Sequence, residues 1–216
     1  MAKQETDTEH EARFLALAAE EKSILDAIGR VTSTWAILES NLFNLFVILS
    51  RIDSREPAGI IFYTPTNTET RITLVDNLVT FWCEIYNIGE IDTRLQTLWT
   101  NIKGKIDRLK NTRNAIAHGH TASMGWNDKN GKSQSAYRLM PQFGDTIRFP
   151  RYRNKSGLPG LGSNEITLHV QAVWRVATRV HEIQELFRVR MLLVLTPHPP
   201  EVLKKLHELV RQIEDL

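Results

Sequence analysis

Apolar residues recur at the spacing of an α-helix through most of this chain. In one stretch Leu38, Leu42, Leu45 and Leu49 step by four, three and four residues, which places them on one helical face. The same period predicts helices at 11–52 (with a bend or break at Gly29), 69–86, 90–118, 165–195 and 201–214. Because such helices bury their apolar faces against one another, the sequence predicts an all-α bundle of about five helices.

The helical period is interrupted in two places. The segment 53–67 contains two prolines and a glycine, which predicts a connection between helices. In 120–164 the residues Gly, Ser, Asn and Pro become frequent, and short β-like runs at 135–140 and 146–152 predict a small hairpin or meander. The predicted organisation is a disordered N-terminus at 1–10, a helical core at 11–119, a β-rich insert at 120–164 and C-terminal helices at 165–216 that complete the bundle.

The composition excludes several classes of protein. A net charge of +2 over 216 residues gives the whole molecule no strong attraction to nucleic acid, so a basic site must come from local clustering. Cys83 is the only cysteine, which excludes a disulfide within the chain and favours a buried apolar role in a reducing compartment. We find neither a run of about 18 apolar residues, as a membrane helix needs, nor a signal peptide. The sequence therefore predicts a cytoplasmic protein with no membrane attachment.

The segment 113–119, Arg-Asn-Ala-Ile-Ala-His-Gly, concentrates the chemistry of this chain at a predicted helix end. Arg113 is a permanent cation with a planar fork of donors for phosphate oxygens. His118 is the type of side chain best suited to transfer protons near neutral pH. We expect Gly119 to adopt the left-handed conformation that commonly ends a helix. As an alternative that needs no function, these residues simply form a helix C-cap.

The predicted helix places further cations beside this segment. At 3.6 residues per turn, Lys103, Lys110, Asn114 and His118 lie within one sector of the helix, and Arg113 flanks it. The sequence therefore predicts a polar, cationic strip next to the buried stripe, where an RNA backbone or a second subunit can bind.

The segment 113–119 resembles the signature of the HEPN superfamily of α-helical domains, in which an Arg, commonly followed by Asn, Asp or His, precedes a His by several residues. Arg113, Asn114 and His118 match that signature in order. The resemblance implies a HEPN-like helical bundle that forms a homodimer, with the two signatures facing each other across a cleft. It also implies metal-independent endoribonuclease activity, with roles in toxin–antitoxin systems or phage defence, and hence an antitoxin or regulatory protein as a possible partner.

Members of the HEPN superfamily differ in their activity and in how that activity is controlled. Some members lack activity and act as modules that bind RNA, nucleotide or a partner protein, and we keep such a module as the alternative function. One toxin branch carries a Tyr two residues after the His, which a partner nucleotidyltransferase modifies. This chain has His120 at that position, which argues against that mode of control.

RNA cleavage is chemically compatible with these residues and requires no metal or cofactor. RNA supplies its own nucleophile, the 2′-hydroxyl beside each phosphate. His118 can transfer protons, Arg113 can stabilise charge on the phosphoryl oxygens, and Asn114 can orient the phosphate or the imidazole. His120 can assist, and a two-fold partner can supply another His and Arg. We therefore take Arg113, Asn114 and His118 as candidate catalytic residues.

A second cationic segment lies in the predicted insert. Arg148, Arg151 and Arg153 alternate with Phe149 and Tyr152, and such a pattern suits contacts with phosphates and unpaired bases. The simpler interpretation is a solvated hairpin whose aromatic side chains pack on the bundle. The predicted RNA-binding residues, in full, are Lys103, Lys110, His120, Arg148, Arg151 and Arg153. Zinc is not expected, because His and Cys at ligand spacing are lacking.

Overall fold

The computed structural model describes residues 7–86, 89–127, 133–140, 160–195 and 200–214. The elements in chain order are the helices α1 (Asp7–Ser50), α2 (Arg55–Tyr63), α3 (Thr68–Ile85) and α4 (Glu90–His118), the strands β1 (His120–Asn127) and β2 (Ser133–Met140), and the helices α5 (Ser163–Leu195) and α6 (Pro200–Glu214). Helices make up 83% of this described part, and the two strands form one antiparallel sheet. The prediction of an all-α protein with a small hairpin is therefore confirmed, while the HEPN-like arrangement stays a prediction.

The first helix is longer and more continuous than the sequence predicts. It begins at Asp7, inside the segment 1–10 that is predicted to be disordered, and passes through Gly29 without a break. A glycine in a helix interior costs about 1 kcal/mol relative to alanine. Ile24 and Val31, on either side of it, are buried, and each contributes about 1.5–3 kcal/mol on burial, which offsets that cost.

The helix α2 lies inside the segment 53–67, where the sequence predicts a connection. Pro57 falls in the first turn of α2, where a missing N–H leaves no helical hydrogen bond unmade. Phe62 is fully buried, and its ring centroid lies 5.5 Å from that of Phe43 and 5.4 Å from that of Phe46. Burial of this aromatic side chain therefore stabilises a short helix that local propensity disfavours.

A small hairpin is present in the predicted insert, but it pairs β2 with a strand that the sequence does not predict. The run 135–140 lies within β2, and β1 occupies residues for which no strand is predicted. The strands pair from His120 opposite Met140 to Asn127 opposite Ser133. The other predicted β-like run, 146–152, lies outside the described residues.

The chain divides into two compact units. One, here called the hairpin unit, comprises residues 1–33 and 110–172, and the other, the helical unit, comprises residues 34–109 and 173–216. The boundaries fall inside α1, α4 and α5, so each of these helices contributes residues to both units. The large apolar core of the helical unit includes the predicted stripe of α1, namely Leu38, Leu42, Leu45 and Leu49.

The helical unit also contains a fully buried ion pair between Arg190 of α5 and Asp92 in the first turn of α4. Arg190 Nε donates to Asp92 Oδ1 at 2.5 Å, and Nη2 donates to Asp92 Oδ2 at 3.1 Å. The same Nη2 donates to the carbonyl oxygens of Trp82 and Tyr86, at 2.6 and 3.0 Å, where α3 ends. One guanidinium thus joins three helices of this unit, although its Nη1 is buried without a partner.

The hairpin unit has a smaller core, formed by one helical segment from each of α1, α4 and α5 together with β2. Its buried members are Ile24, Ala27, Val31, Ile116, Leu139 and Ile166. Ile116 and Leu139 therefore bring the end of α4 and the end of β2 into the same apolar cluster.

The outer edge of β2 is occupied within the hairpin unit. The backbone N–H of Tyr137 donates to the carboxylate of Glu20 at 2.8 Å. Leu139 and Leu161 exchange two backbone hydrogen bonds, of 2.8 and 2.9 Å. The adjacent Arg138 is buried and donates to the carbonyl oxygen of Gly160 at 2.9 Å. The Glu20 contact joins β2 to α1, and the contacts with Gly160 and Leu161 join the end of β2 to the chain that leads into α5.

His169 on α5 is expected to make the stability of the protein depend on pH. Its side chain is buried in the hairpin unit, its Nε2 has no partner, and burial lowers its pKa from 6.5 to about 4. Because the unfolded chain takes up the proton more readily, the stabilisation is fully present above about pH 6.5 and is lost as the pH falls toward about 4. The free energy of unfolding should fall by up to about 3 kcal/mol across this window.

Urea unfolding at neutral and acidic pH tests this expectation. The variant His169→Leu removes the titrating group and should lose less stability on acidification than the wild type. His181→Leu is the matched control, since His181 is exposed on the same helix and should leave the pH dependence unchanged. Parallel losses in the wild type and His169→Leu would show that another group controls the acid sensitivity.

By length and composition alone, α1 contains a stretch that is apolar enough to cross a membrane. The sequence predicts no such stretch, so α1 departs from that prediction. The stretch is 44% buried within the protein, and buried core helices commonly satisfy the same criteria. This is weak evidence for a membrane helix, and the cytoplasmic location stays a prediction.

Candidate active site

The candidate motif lies where α4 ends and β1 begins. His118 is the last residue of α4, and the N–H of Gly119 donates to the carbonyl oxygen of Ile116 at 3.4 Å. Ile116 is buried, and His118, about 200° further around the helix, is exposed. The apolar cluster of the hairpin unit therefore fixes the helix end and directs the imidazole toward solvent.

The prediction that Gly119 is left-handed is wrong, because the positive φ angles in the described chain belong to Arg51, Gly89 and Gly160. Gly119 instead allows two segments of the backbone to lie close together. A Cβ atom at Gly119 would lie 2.8 Å from Leu139 Cδ1 and 2.9 Å from the carbonyl oxygen of Met140. The chain therefore passes from α4 into β1 at a point where a side chain does not fit.

The substitution Gly119→Ala should lower the free energy of unfolding by about 1–3 kcal/mol, as overpacking typically does. Gly125→Ala, in the strand β1 that follows Gly119, is the matched control, because its Cβ would have Gln134 O as its nearest neighbour, at 3.8 Å. Denaturant unfolding of both variants gives the comparison. Equal stabilities of the two variants would contradict the close approach at Gly119.

Three of the predicted residues form a row on the last turns of α4. Lys110, Asn114 and His118 are spaced by four residues and so share one helical face. Arg113 lies beside this row, and its Nη1 donates to Asn114 Oδ1 at 3.1 Å. Asn114 is exposed and Arg113 is partly buried. The guanidinium therefore contacts the amide of Asn114, which lies on the same helical face as the imidazole of His118.

His120 is the first residue of β1 and is exposed opposite Met140. Neither the imidazole of His118 nor that of His120 makes a hydrogen bond or an ion pair with the described part of the chain. In a helix C-cap the imidazole of His118 would bond the last carbonyl oxygens of α4. The described structure contains no such bond. The described structure brings together Lys110, Arg113, Asn114, His118 and His120 within the hairpin unit.

Lys103 has a different environment. It belongs to the helical unit, and its ammonium group pairs with Asp76 of α3. The other carboxylate oxygen of Asp76 accepts a hydrogen bond from Trp99 Nε1 at 2.8 Å. This pairing gives Lys103 a structural contact, and its binding to RNA stays a prediction.

The remaining predicted RNA-binding residues, Arg148, Arg151 and Arg153, lie outside the described residues. Their role therefore stays a prediction.

The residues that hold the junction of α4 and β1 in place are not among those predicted from the sequence. Leu139 packs with Ile116, and Leu161 bonds Leu139 from the far side of the insert. The alternation of Tyr137 and Leu139 with the charged Arg138 was an available signal for the first, whereas no local pattern marks Leu161. Within the described ranges, no three His, Cys, Asp or Glu side chains lie close enough together to hold a metal ion.

Comparisons with protein-family models, curated proteins and solved structures give no match to this chain. The HEPN resemblance therefore rests on the seven residues 113–119 and their helical context.

Proposed function

We propose that this protein is a metal-independent endoribonuclease that cleaves RNA through transesterification by the 2′-hydroxyl. The hydrogen bond between Arg113 and Asn114 is the observation that supports this proposal most directly. Asn114 lies one turn before His118 on the same helical face, so the guanidinium contacts the residue whose face carries the imidazole. A permanent cation and a proton-transfer group are then available to one phosphodiester.

In the proposed reaction the 2′-oxygen loses its proton and attacks the adjacent phosphorus. The bond from phosphorus to the 5′-oxygen breaks, which leaves a 2′,3′-cyclic phosphate and a 5′-hydroxyl. Arg113 stabilises the negative charge on the non-bridging oxygens. His118 supplies proton transfer, which typically contributes about 10²–10⁴-fold in rate. The RNA itself provides the nucleophile, so these side chains suffice for the step.

Further cations would bind the phosphates on either side of the cleaved bond. Lys110 extends the row of Asn114 and His118 along α4. Arg148, Arg151 and Arg153 are proposed to add contacts from the insert. Each phosphate contact of this kind makes binding more sensitive to salt.

The biological setting is supported by the HEPN resemblance alone. It favours a homodimer in which two motifs face one cleft, a toxin or phage-defence role, and an antitoxin or regulatory protein as partner. These assignments share one requirement, namely that the segment 113–119 is accessible to RNA.

The activity can be tested with purified protein in excess EDTA and 5′-labelled single-stranded and hairpin RNAs of mixed sequence. We expect cleavage that yields 2′,3′-cyclic phosphate and 5′-hydroxyl ends. The matched oligonucleotide with 2′-deoxy sugars should resist cleavage, because it lacks the nucleophile. Activity that depends on a divalent metal would overturn the metal-independent mechanism. Binding of both oligonucleotides without cleavage would support the non-catalytic module instead.

A further inference from the structure

We propose that His118 and His120 of the same chain form the general acid–base pair of this reaction. The inference rests on the proposed function, because it assigns the two protons that move during RNA cleavage. It adds His120 as a catalytic residue, and it places both proton-transfer groups in one subunit rather than in two.

The backbone positions of His118 and His120 lie close together. Only Gly119 separates them, and Cα atoms two residues apart are at most about 7 Å from each other. The close approach of Gly119 to Leu139 and Met140 fixes the backbone at this point. Histidine side chains at this backbone separation can reach both the attacking 2′-oxygen and the departing 5′-oxygen of a single phosphodiester.

Both side chains project away from the apolar cluster of the hairpin unit. His118 lies about 200° around α4 from the buried Ile116. Leu139 belongs to the same cluster and shares one face of the hairpin with its cross-strand partner Thr121. Since successive residues of a strand alternate in direction, His120 projects from the opposite face.

Neither imidazole is engaged by another described residue, in contrast to the cations beside them. Lys110 and Arg113 each have an interaction partner, and His118 and His120 have none within the described ranges. An imidazole without a carboxylate or carbonyl partner keeps both nitrogens available to substrate.

The position of each imidazole suggests its role. His118 is the last residue of α4, the end of a helix that attracts positive charge, so we assign it as the general acid. His120 is the general base and takes the proton of the 2′-hydroxyl as the new oxygen–phosphorus bond forms. His118 gives its proton to the 5′-oxygen as that bond to phosphorus breaks. Proton exchange with water then restores both imidazoles.

The pH dependence of kcat/KM for labelled single-stranded RNA tests these roles. A base must be deprotonated and an acid protonated, so the wild type should give a bell-shaped profile within about pH 5–8, where histidine titrates. His120→Gln should lower kcat/KM by about 10²–10⁴-fold and remove the acidic limb. His118→Gln should remove the basic limb. His207→Gln, an exposed histidine of α6, is the control and should keep the wild-type profile.

Mixing the two variants tests whether the pair comes from one chain. If His118 and His120 act within one subunit, an equimolar mixture of His118→Gln and His120→Gln stays as inactive as each variant alone. Recovery of activity in the mixture would place the two groups in different chains and overturn the inference. So would a His120→Gln variant with the rate and pH profile of the wild type, while the proposed function would stand. Absence of cleavage by the wild type would instead remove the proposed function itself.

Discussion

Replacement of His118 by alanine is expected to slow RNA cleavage by about 10²–10⁴-fold, the usual contribution of a positioned acid or base. The imidazole is exposed and bonds no described residue, so its removal should leave the fold intact. The measurement is the initial rate of cleavage of labelled single-stranded RNA in excess EDTA, with thermal unfolding recorded for the same samples.

The control for this experiment is His181→Ala, because His181 is also exposed but lies on α5 in the helical unit. It should cleave RNA at the wild-type rate. Cleavage by His118→Ala at that same rate would show that His118 transfers no proton in the reaction. An equal loss in both variants would indicate a cause other than the candidate site.

The substitution Arg190→Met should lower the free energy of unfolding by about 3–5 kcal/mol, because it leaves Asp92 buried without its cation. The carbonyl oxygens of Trp82 and Tyr86 also lose their donor. At this chain length the melting temperature should fall by roughly 10 °C. Denaturant unfolding and calorimetry measure both quantities.

A matched surface position and a double variant make this test specific. Arg188, two residues away, forms an exposed ion pair with Glu185, and Arg188→Met should change stability by less than about 1 kcal/mol. The double variant Arg190→Met with Asp92→Leu should be more stable than Arg190→Met alone, since no charge then stays buried unpaired. A loss for Arg190→Met no greater than that for Arg188→Met would contradict the role of the buried pair.

The helices were predictable because their amphipathic period is long and regular. The prediction of 90–118 matches α4, and the prediction of 69–86 differs from α3 by one residue at each end. The short helix α2 was not predictable in the same way, because it depends on packing of Phe62 against a distant part of the chain. Local sequence at α2 shows mainly Pro57 and Gly59, which favour a turn.

The residue types of the candidate site and their alignment along one helix face could be predicted from the sequence. Their contacts with residues of other helices could not. Spacing by four residues places Lys110, Asn114 and His118 in a row, as the structure has them. The same reasoning treats Lys103 as equivalent, although Asp76, on a different helix, engages its ammonium group. Helical spacing describes one helix at a time and contains no information about which charge a neighbouring helix presents.

The sequence indicates that Gly119 is a constrained position, but it suggests the wrong physical cause for the constraint. A glycine after a helix commonly adopts positive φ, and the sequence offers no sign that a strand follows at once. The constraint comes instead from Leu139 and Met140, which lie about twenty residues later in the chain. Arg190 is a similar case, because nothing local distinguishes this buried arginine from the exposed Arg188.

The paired backbone bonds between Leu139 and Leu161 hold together the two points at which the intervening stretch leaves and re-enters the hairpin unit. Lengthening that stretch therefore adds only a small closure entropy, about 0.6 kcal/mol for each doubling. Homologous chains can differ in length there with little loss of fold stability while they keep the same junction of α4 and β1.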